Sequence, residues 1–312
     1  MAHRGTHLFL VLVMLLVGST FWSAPAHAYP YFAQQAYDNP REATGRIVCA
    51  NCHLAAQPIE AEVPQSVKPD AVFEAVVKIP YDHDVPQVLG DGSEGALNVG
   101  AVVVLPDGFK MAPPERISEE LKAETKDLYI QPYSDERQNM LVVGPLSGDQ
   151  HQEIVFPVLS PNPKTDKSTH FGKYLIHAGG NRGRGQVYPT GDKSNNNIFT
   201  APTDGIISAV SAAEAGGYEV AIQSPDGETL SETIPPGPQL IVAEGDAIAE
   251  GAPLTNNPNV GGFGQEDVEI VLQDPVRIMF LVLFFIGIML SQTMLVLKKK
   301  QIEKVQAAEF NF

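Results

Sequence analysis

The sequence predicts a mostly β protein that is tied to a membrane by one C-terminal helix. Between residues 71 and 178, short β-rich runs alternate with turn residues and no long helical pattern intervenes, which is typical of an antiparallel sandwich. Near the C-terminus, twenty residues without a charge are long enough to cross a bilayer. A change of composition over residues 197–259 marks a second domain. We therefore expect a large sandwich of the immunoglobulin or fibronectin type III kind, an inserted small β-barrel and one transmembrane helix.

Residues 1–28 have the pattern of a secretory signal peptide. His3 and Arg4 begin it, residues 8–17 form an unbroken apolar run, and Ala-His-Ala at 26–28 is a cleavage site of the A-x-A type. An apolar run of this length is too short to cross a bilayer, although an N-terminal anchor stays open as the alternative. Cleavage would make Tyr29 the new amino terminus, outside the cytosol.

A helix-start signal comes next. Asn39 can cap a helix, Pro40 suits its first position, and Glu42 can reach back to the cap. We expect a helix that runs from Pro40 toward His53, with a weak point at Gly45.

The C-x-x-C-H motif Cys49-Ala50-Asn51-Cys52-His53 is the feature around which the chain is organised. On a helix, residues three and four apart share a face, so both thiols and the imidazole would point the same way. This arrangement suits one haem c, with thioether bonds from Cys49 and Cys52 and an iron ligand from His53. A thiol redox pair is the alternative, but no strand signal precedes the motif. A structural zinc site would need further cysteines, which the chain lacks.

The predicted strands follow after Pro58. Their turns include Pro-Asp-Gly at 106–108 and Gly-Asp-Gly at 90–92. Between the strands, only residues 117–127 have a helical pattern. The candidate strands are residues 71–79, 101–105, 140–143, 153–159 and 174–178.

Residues 197–259 contain no lysine or arginine and nine acidic residues. Gly-Ile-Ile-Ser at 205–208, followed by Gly-Asp-Ala-Ile at 245–248, is similar to the small barrel of lipoyl and biotinyl carriers. Without a lysine to carry a prosthetic group, only the shape of such a carrier can be shared. The acidic surface is either a solvated face or a docking surface, and both interpretations stay open.

Residues 278–297 carry no charge, and a helix with a rise of about 1.5 Å per residue crosses the hydrocarbon layer over that length. Lys298, Lys299 and Lys300 follow at once, so the positive-inside rule places this end in the cytosol or stroma. The bulk of the chain then lies on the other side, in agreement with an exported N-terminus. A buried core helix is the alternative.

The chain is acidic, with a formal net charge of -16. The whole chain has 21 basic and 37 acidic residues, of which six basic and two acidic residues lie outside 29–274. Residues 29–274 therefore carry 15 basic and 35 acidic residues, a formal charge of -20. This charge disfavours nucleic acid as a partner, because a phosphate backbone requires a basic face. A partner with a basic patch is favoured, since charge steering speeds the encounter.

Residue chemistry leaves the second axial ligand of the haem open. Met111, in a proline-rich loop, ranks first because Met/His ligation is common in haem c proteins, and it would suit a respiratory-type membrane-anchored subunit. A haem peroxidase would instead need a vacant or displaceable ligand. Bis-histidine ligation could come from one of His83, His151, His170 and His177.

Four blocks of the sequence together resemble the cytochrome f family. The blocks are Tyr-Pro-Tyr-Phe-Ala-Gln-Gln from residue 29, Asn-Pro-Arg-Glu-Ala-Thr-Gly-Arg-Ile-Val-Cys-Ala-Asn-Cys-His from 39, Gly-Gly-Asn-Arg-Gly-Arg-Gly-Gln from 179 and Asn-Pro-Asn-Val-Gly-Gly-Phe-Gly-Gln from 257. The resemblance extends to the C-terminal tail. It implies the haem c subunit of the cytochrome b6f complex, an electron carrier that is not an enzyme on its own and lies in the thylakoid membrane with its bulk in the lumen.

The resemblance also implies which residues hold the haem. The second axial ligand would be the α-amino nitrogen of Tyr29, and an α-amine with an ordinary pKa of about 8 gives up its proton to iron at modest cost. Pro30 and Phe32 correspond to family residues that pack against the haem. With both axial positions filled, electron transfer is the natural role. Five further positions match a buried water chain suggested to conduct protons: Gln87, Asn181, Gln186, Asn196 and Asn259.

By the same resemblance, the electron arrives from the Rieske iron-sulfur protein and leaves to plastocyanin or a soluble c-type cytochrome. Plant members carry lysines in the loop that matches residues 90–95, whereas this chain has Gly-Asp-Gly-Ser-Glu-Gly. We therefore expect an acceptor with a neutral or basic face and a cyanobacterial origin. The expected division is a signal at 1–28, a haem domain at 29–196 and 260–276, a small domain at 197–259, a transmembrane helix at 277–297 and a tail at 298–312.

Overall fold

The computed structural model describes residues 30–310. The predicted signal peptide, residues 1–28, and the predicted ligand Tyr29 lie outside the described residues. Within the described part, strands predominate, and the one long helix is C-terminal. The prediction of a mostly β fold with one C-terminal apolar helix is confirmed.

Three α-helices and sixteen strands make up the described chain. The helices are α1 (Tyr31–Ala36), α2 (Glu119–Thr125) and α3 (Pro275–Glu309), and two 3-10 helices cover Val48–Asn51 and Pro114–Arg116. The strands are β1 (Glu60–Glu62), β2 (Ser66–Val67), β3 (Val72–Lys78), β4 (Gln87–Val88), β5 (Glu94–Gly95), β6 (Asn98–Val104), β7 (Lys110–Met111), β8 (Gln131–Pro132), β9 (Met140–Ser147), β10 (Glu153–Leu159), β11 (Gly172–Arg182), β12 (Gly205–Ala212), β13 (Tyr218–Gln223), β14 (Thr229–Ile234), β15 (Ala247–Ile248) and β16 (Gly262–Leu272).

Two sheets face each other as a sandwich. One has four strands in the order β1-β3-β10-β7, and the other has six in the order β2-β16-β11-β6-β9-β8. The pairing of β2 with β16 is parallel, and the other strand pairings of these two sheets are antiparallel. Phe73 and Phe156 from the first sheet pack with Val103, Ile176 and Ile270 from the second in one buried core. Burial of this apolar surface is the main force that holds the sheets together.

Strand β6 is buried on both of its faces. Ala101 and Val103 point into the sandwich core, while Val102 and Val104 belong to a second cluster on the outer face of the six-stranded sheet. Ile47, just before the C-x-x-C-H motif, packs into that second cluster. The motif therefore covers the outer face of the sheet, and this explains why β6 is apolar at nearly every position.

Each of the five predicted strands overlaps an observed strand, and the long strand β16 is among those that the sequence did not predict. The candidate at 153–159 matches β10 residue for residue, whereas β16 carries no alternating apolar pattern in its middle. Gln265, Glu266 and Asp267 are exposed there. Backbone pairing with β11 along the whole length of β16 holds the strand instead.

The structure contradicts the helix predicted between residues 40 and 53. Arg41 and Ile47 pair in an antiparallel bridge, and Gly45 in the turn between them has φ +89°, a left-handed conformation that interrupts a helix. The asparagine of the helix-start signal accepts a hydrogen bond from the Arg41 amide (3.0 Å), as in an Asx turn. Only Val48–Asn51 is helical, as one 3-10 turn.

A third sheet lies within residues 197–259, with the strand order β14-β13-β12-β15. The loop after β14 packs closely on the β4–β5 hairpin, because a Cβ on Gly92 would come within 2.5 Å of the Pro236 side chain. The sheet has a core of its own, separate from that of the sandwich: Ile207, Val220, Ile222, Ile234 and Leu254.

Helix α3 is long and apolar enough to cross a membrane. Its first turn is capped by Asp274, whose Oδ1 accepts from the Val276 amide (3.0 Å), and Pro275 occupies the first helical position. Its 35 residues give a length of roughly 52 Å, more than the hydrocarbon layer of about 30 Å. The apolar side chains at 278–297 are exposed, as expected for a surface that faces lipid or partner helices.

Candidate functional site

Cys49, Cys52 and His53 lie on the wall of one cavity of about 290 Å³. The cavity lies against the outer face of the six-stranded sheet, between the C-x-x-C-H segment, α1 and strands β6, β9 and β11. Val102 and Val142 from the sheet are part of its apolar lining. The motif and the sheet therefore share one concave site, of the mostly apolar kind that binds cofactors.

A tight turn brings the three side chains of the motif together. The Cys49 carbonyl accepts hydrogen bonds from the amides of Cys52 (3.2 Å) and His53 (3.0 Å). The expected convergence of two thiols and one imidazole thus occurs, through a 3-10 turn instead of an α-helix.

Two glutamines hold the motif at both ends. Gln265 on β16 accepts from the Ile47 amide (2.9 Å), and its Nε2 donates to the backbone of the preceding turn (3.1 Å). Gln186 lies four residues beyond β11. Its side-chain oxygen accepts from the Leu54 amide (2.7 Å), and its backbone amide donates to the Cys52 carbonyl (2.8 Å). Sequence reasoning matched Gln186 only to a water chain, and nothing in the local pattern pointed to Gln265.

Burial sets the ionisation of the motif. It raises the pKa of the Cys49 thiol to about 12 and also raises the pKa of Cys52, while it lowers the pKa of His53 to about 4. Near neutral pH both thiols are therefore protonated and the imidazole is neutral. A thiol redox pair relies on a thiolate with a depressed pKa, so this environment argues against that alternative. A neutral imidazole is the form that binds a metal.

The residues of the motif fit a haem c. His53 Nδ1 is buried and has no hydrogen-bond partner among the described residues, a costly state for a buried polar atom. Zinc lacks a ligand set, because nowhere in residues 30–310 do three or more His, Cys, Asp or Glu side chains cluster so as to hold a metal ion. Two thiols and a free imidazole on an apolar cavity wall are what covalent haem attachment requires.

Glycines allow the backbone to approach the cavity closely. A Cβ on Gly179 would lie 2.7 Å from the Phe263 ring and 3.0 Å from Cδ1 of Ile47. A Cβ on Gly185 would lie 3.2 Å from the Cys52 carbonyl oxygen. Strand β11 and the segment after it therefore pack directly beneath the motif, a role that the glycine-rich sequence alone did not disclose.

Pro30 and Phe32, which the resemblance matches to haem-packing residues, line the cavity. The helix that they begin is fastened by Tyr133, which follows β8. The Tyr133 hydroxyl lies 2.7 Å from the carbonyl oxygens of both Ala33 and Tyr37 and donates to them. The start of the described chain is thus held at the cavity, and the predicted ligand one residue earlier lies outside the described residues.

None of the alternative axial ligands lines the cavity in the described chain. Met111 lies on β7 and packs against the core of the sandwich. The four histidines contact other groups: His83 lies against Tyr81, His151 bonds to the Ser147 carbonyl, His170 lies against Tyr174, and His177 bonds to Asp267.

Three of the five amides matched to a water chain are joined by hydrogen bonds. Gln186 Nε2 and Asn196 Nδ2 both donate to the Arg184 carbonyl, at 3.1 and 2.8 Å. Asn196 Nδ2 also donates to Asn259 Oδ1 (3.0 Å). Asn181 lines the cavity itself. The structure therefore places these four positions around one end of β11.

Gln87, the fifth position, is buried on β4. Its Nε2 donates to the Ala96 carbonyl (2.7 Å), while its Oε1 has no partner among the described residues. Asn196 Oδ1 is also buried without a hydrogen-bond partner among the described residues. Buried oxygens of this kind are where ordered water is found in proteins.

Comparison with known proteins identifies the family of this chain. Family models described as Apocytochrome F, N-terminal and Apocytochrome F, C-terminal match residues 29–183 and 195–312. Proteins named cytochrome f from Synechococcus elongatus and from Thermosynechococcus vestitus are each 66% identical over 304 residues, which cover 97% of this chain and 98% of theirs. One from Mastigocladus laminosus is 64% identical over 292 residues, 92% of this chain and 88% of its own. These organisms are cyanobacteria, in line with the expected origin. The chain belongs to the cytochrome f family.

Proposed function

We propose that this chain passes electrons from a Rieske iron-sulfur protein to plastocyanin or a soluble c-type cytochrome. As a member of the cytochrome f family it is a membrane-anchored subunit of the cytochrome b6f complex with one covalently bound haem c, and it is not an enzyme on its own. Family membership favours this function over a peroxidase and over a respiratory-type subunit. The observation that carries the proposal is the convergence of Cys49, Cys52 and His53 on one cavity wall.

Cys49 and Cys52 would hold the haem by thioether bonds, and His53 would supply a nitrogen ligand to its iron. A covalently bound haem c supplies one-electron oxidation and reduction at its iron. We propose that the α-amino nitrogen of Tyr29 would be the second ligand of the iron. The position of Pro30 on the cavity wall supports this, and cleavage after residue 28 would free that amine.

The side chains around the motif make its surroundings apolar and hold its backbone. Val102, Val142 and Phe263 give the cavity an apolar lining, and the polarity of a haem site is one of the factors that set its potential. Gln186 and Gln265 bind the backbone on either side of the motif and limit its movement. A site held in this way needs little reorganisation when its charge changes.

We propose that the bulk of the chain faces the thylakoid lumen and that residues 298–312 face the cytoplasm or stroma. The three lysines that follow the apolar residues 278–297 support this orientation. The two separate hydrophobic cores support the division into a haem domain of residues 29–196 and 260–276 and a small domain of residues 197–259.

We also propose that Gln87, Asn181, Gln186, Asn196 and Asn259 hold ordered water. The buried, unpartnered oxygens of Gln87 and Asn196 support this. A high-resolution crystal structure should show water within hydrogen-bond distance of both atoms. A dry site at both would contradict the proposal, and proton conduction along these residues would lose its basis.

The haem proposal is tested on the purified complex by visible spectroscopy and N-terminal sequencing. We expect a mature chain that starts at Tyr29 and a low-spin spectrum that carbon monoxide and cyanide leave unchanged. Replacing both cysteines, C49S with C52S, should abolish haem staining on a denaturing gel, whereas H151Q should retain it. A retained leader, sulfur ligation or ready binding of carbon monoxide would refute the assignment of the ligands.

A further inference from the structure

Arg184 is the only arginine or lysine among the described residues that line the haem cavity. Two hydrogen bonds hold its guanidinium. Nη1 donates to the Val88 carbonyl (2.9 Å) and to Asn195 Oδ1 (2.5 Å). The carbonyl belongs to β4, so the arginine connects the cavity wall to the β4–β5 hairpin.

Asn195 is buried, and its amide contacts three separate parts of the chain. Its Oδ1 accepts from Arg184, and its Nδ2 donates to the Leu89 carbonyl (2.7 Å) and to the Pro236 carbonyl (2.8 Å). Leu89 lies in the turn of the hairpin and Pro236 in the loop after β14 of the third sheet. One side chain therefore joins the cavity arginine, the hairpin and the small domain.

The orientation of the Asn195 amide is determined by its partners. Two carbonyl oxygens require the nitrogen on one side, and a guanidinium requires the oxygen on the other, so a rotated amide would face a donor with a donor. Space is also restricted, because a Cβ on Gly237 would lie 3.3 Å from Asn195 Nδ2. The amide thus offers Arg184 one acceptor in one place.

We propose that Asn195 is a positioning residue that holds the Arg184 guanidinium at the cavity wall and thereby raises the reduction potential of the haem. The inference rests on the proposed function, in which the haem fills this cavity. A nearby cation favours the ferrous state, which carries one positive charge fewer than the ferric state. Asp91, in the hairpin, lies within electrostatic range of Arg184 and offsets part of this effect.

The first measurement is a redox titration of N195A in the intact complex, followed at the haem absorption band. Without Asn195, only the Val88 carbonyl still holds the guanidinium, so Arg184 is freer to turn toward solvent and the midpoint potential should fall. N197A is the matched control. Asn197 lies in the same segment and bonds to the backbone of Gln186 and Ile198 without touching the arginine, and its replacement should leave the potential unchanged.

A double-mutant cycle shows whether Asn195 acts through Arg184. R184Q should lower the potential, and N195A added to R184Q should lower it no further, because the charge that the asparagine positions has already been removed. A merely structural role for Asn195 would give a full additional shift in the double variant. The proposal would be overturned by that full additional shift, by an unchanged potential in N195A, or by an unchanged potential in R184Q.

Assembly of the variants is checked by the covalent haem content of each complex. If N195A fails to assemble, N195S keeps a hydroxyl that can accept from Arg184, and it should give a smaller downshift than R184Q. A wild-type complex without covalent haem would defeat the proposed function itself. A wild-type complex with a normal spectrum and potentials that do not respond to these variants would defeat only the role of Asn195.

Discussion

Glu232 is a carboxylate on the inward side of the small domain. It pairs in register with Val220 on β13, and directly paired residues project to the same face of a sheet. Val220 is fully buried in the core of that sheet. Burial raises the pKa of Glu232, and Lys193 opposes the shift more weakly. Folding therefore favours the protonated form of the Glu232 carboxyl group.

We expect E232Q to change how stability depends on pH. Below the ordinary pKa of a glutamate, both the folded and unfolded states are protonated; between that value and the raised pKa the folded state binds more protons, so stability falls as pH rises. E232Q should remove this fall and increase the free energy of unfolding near pH 7 by less than about 1 kcal/mol, since partial exposure screens the charge. Thermal unfolding across acid and neutral pH measures this, with the exposed Glu228 as the E228Q control. An unchanged pH profile would contradict the argument.

Gly179 allows β11 to lie directly under Phe263 and Ile47. In G179A the new methyl group would lie 2.7 Å from the Phe263 ring, so the ring must move or the strands must separate. Overpacking of this kind costs about 1–3 kcal/mol. Chemical denaturation monitored at the haem band should show the loss. G90A serves as the control, because its nearest neighbour would be 3.8 Å away. Equal stability of the two variants would refute the packing role.

At the scale of elements, α1 depends on a distant side chain for its position. The helix has six residues, too few to be stable alone in water. Tyr133 lies about a hundred positions later in the sequence, and its hydroxyl donates to carbonyls at the middle and end of this segment. The part of the chain next to the proposed N-terminal ligand is thus anchored by tertiary hydrogen bonds.

Y133F should loosen α1 and leave the rest of the fold unchanged. Loss of the hydroxyl should reduce the free energy of unfolding by about 0.5–1.5 kcal/mol and speed amide hydrogen exchange around residues 31–37. Exchange measured by mass spectrometry gives the local effect. Y129F is the matched control, because Tyr129 is 78% exposed. Unchanged protection of α1 in Y133F would show that apolar packing alone holds the helix.

At the scale of the whole molecule, charge is unevenly distributed. The small domain has nine acidic residues and no lysine or arginine, and the hairpin at 90–95 adds Asp91 and Glu94. Both surfaces are largely exposed. Charge complementarity acts mainly on the rate of encounter. The rate at which the proposed soluble acceptor oxidises the haem should therefore depend on salt.

We expect an acceptor with a basic face to oxidise the complex faster than an acidic one at low ionic strength. The advantage should be about tenfold or more and should shrink as salt screens the charges. Stopped-flow oxidation with paired acceptors of opposite charge measures it. Neutralising the hairpin with D91N and E94Q should reduce the advantage. Faster oxidation by the acidic acceptor at low salt would exclude this docking scheme.

The sequence by itself determined the features that depend on local order. The C-x-x-C-H motif, the apolar stretch at 278–297 and the strand at 153–159 were all predictable, because spacing and periodicity act over a few residues. The local pattern was misleading at residues 40–53, where the left-handed conformation of Gly45 outweighed the helix-start signal.

Only the tertiary structure decided how the site is held. Gln265 and Gln186 bind the motif from 218 and 132 positions away, and the two-sided burial of β6 follows from which segment lies on its outer face. A hydrogen bond between remote residues leaves no periodic trace in either segment, because each glutamine satisfies a backbone amide that any residue could present. The residues of the motif therefore determine its chemistry, and its geometry is set by contacts that exist only once the sheets have formed.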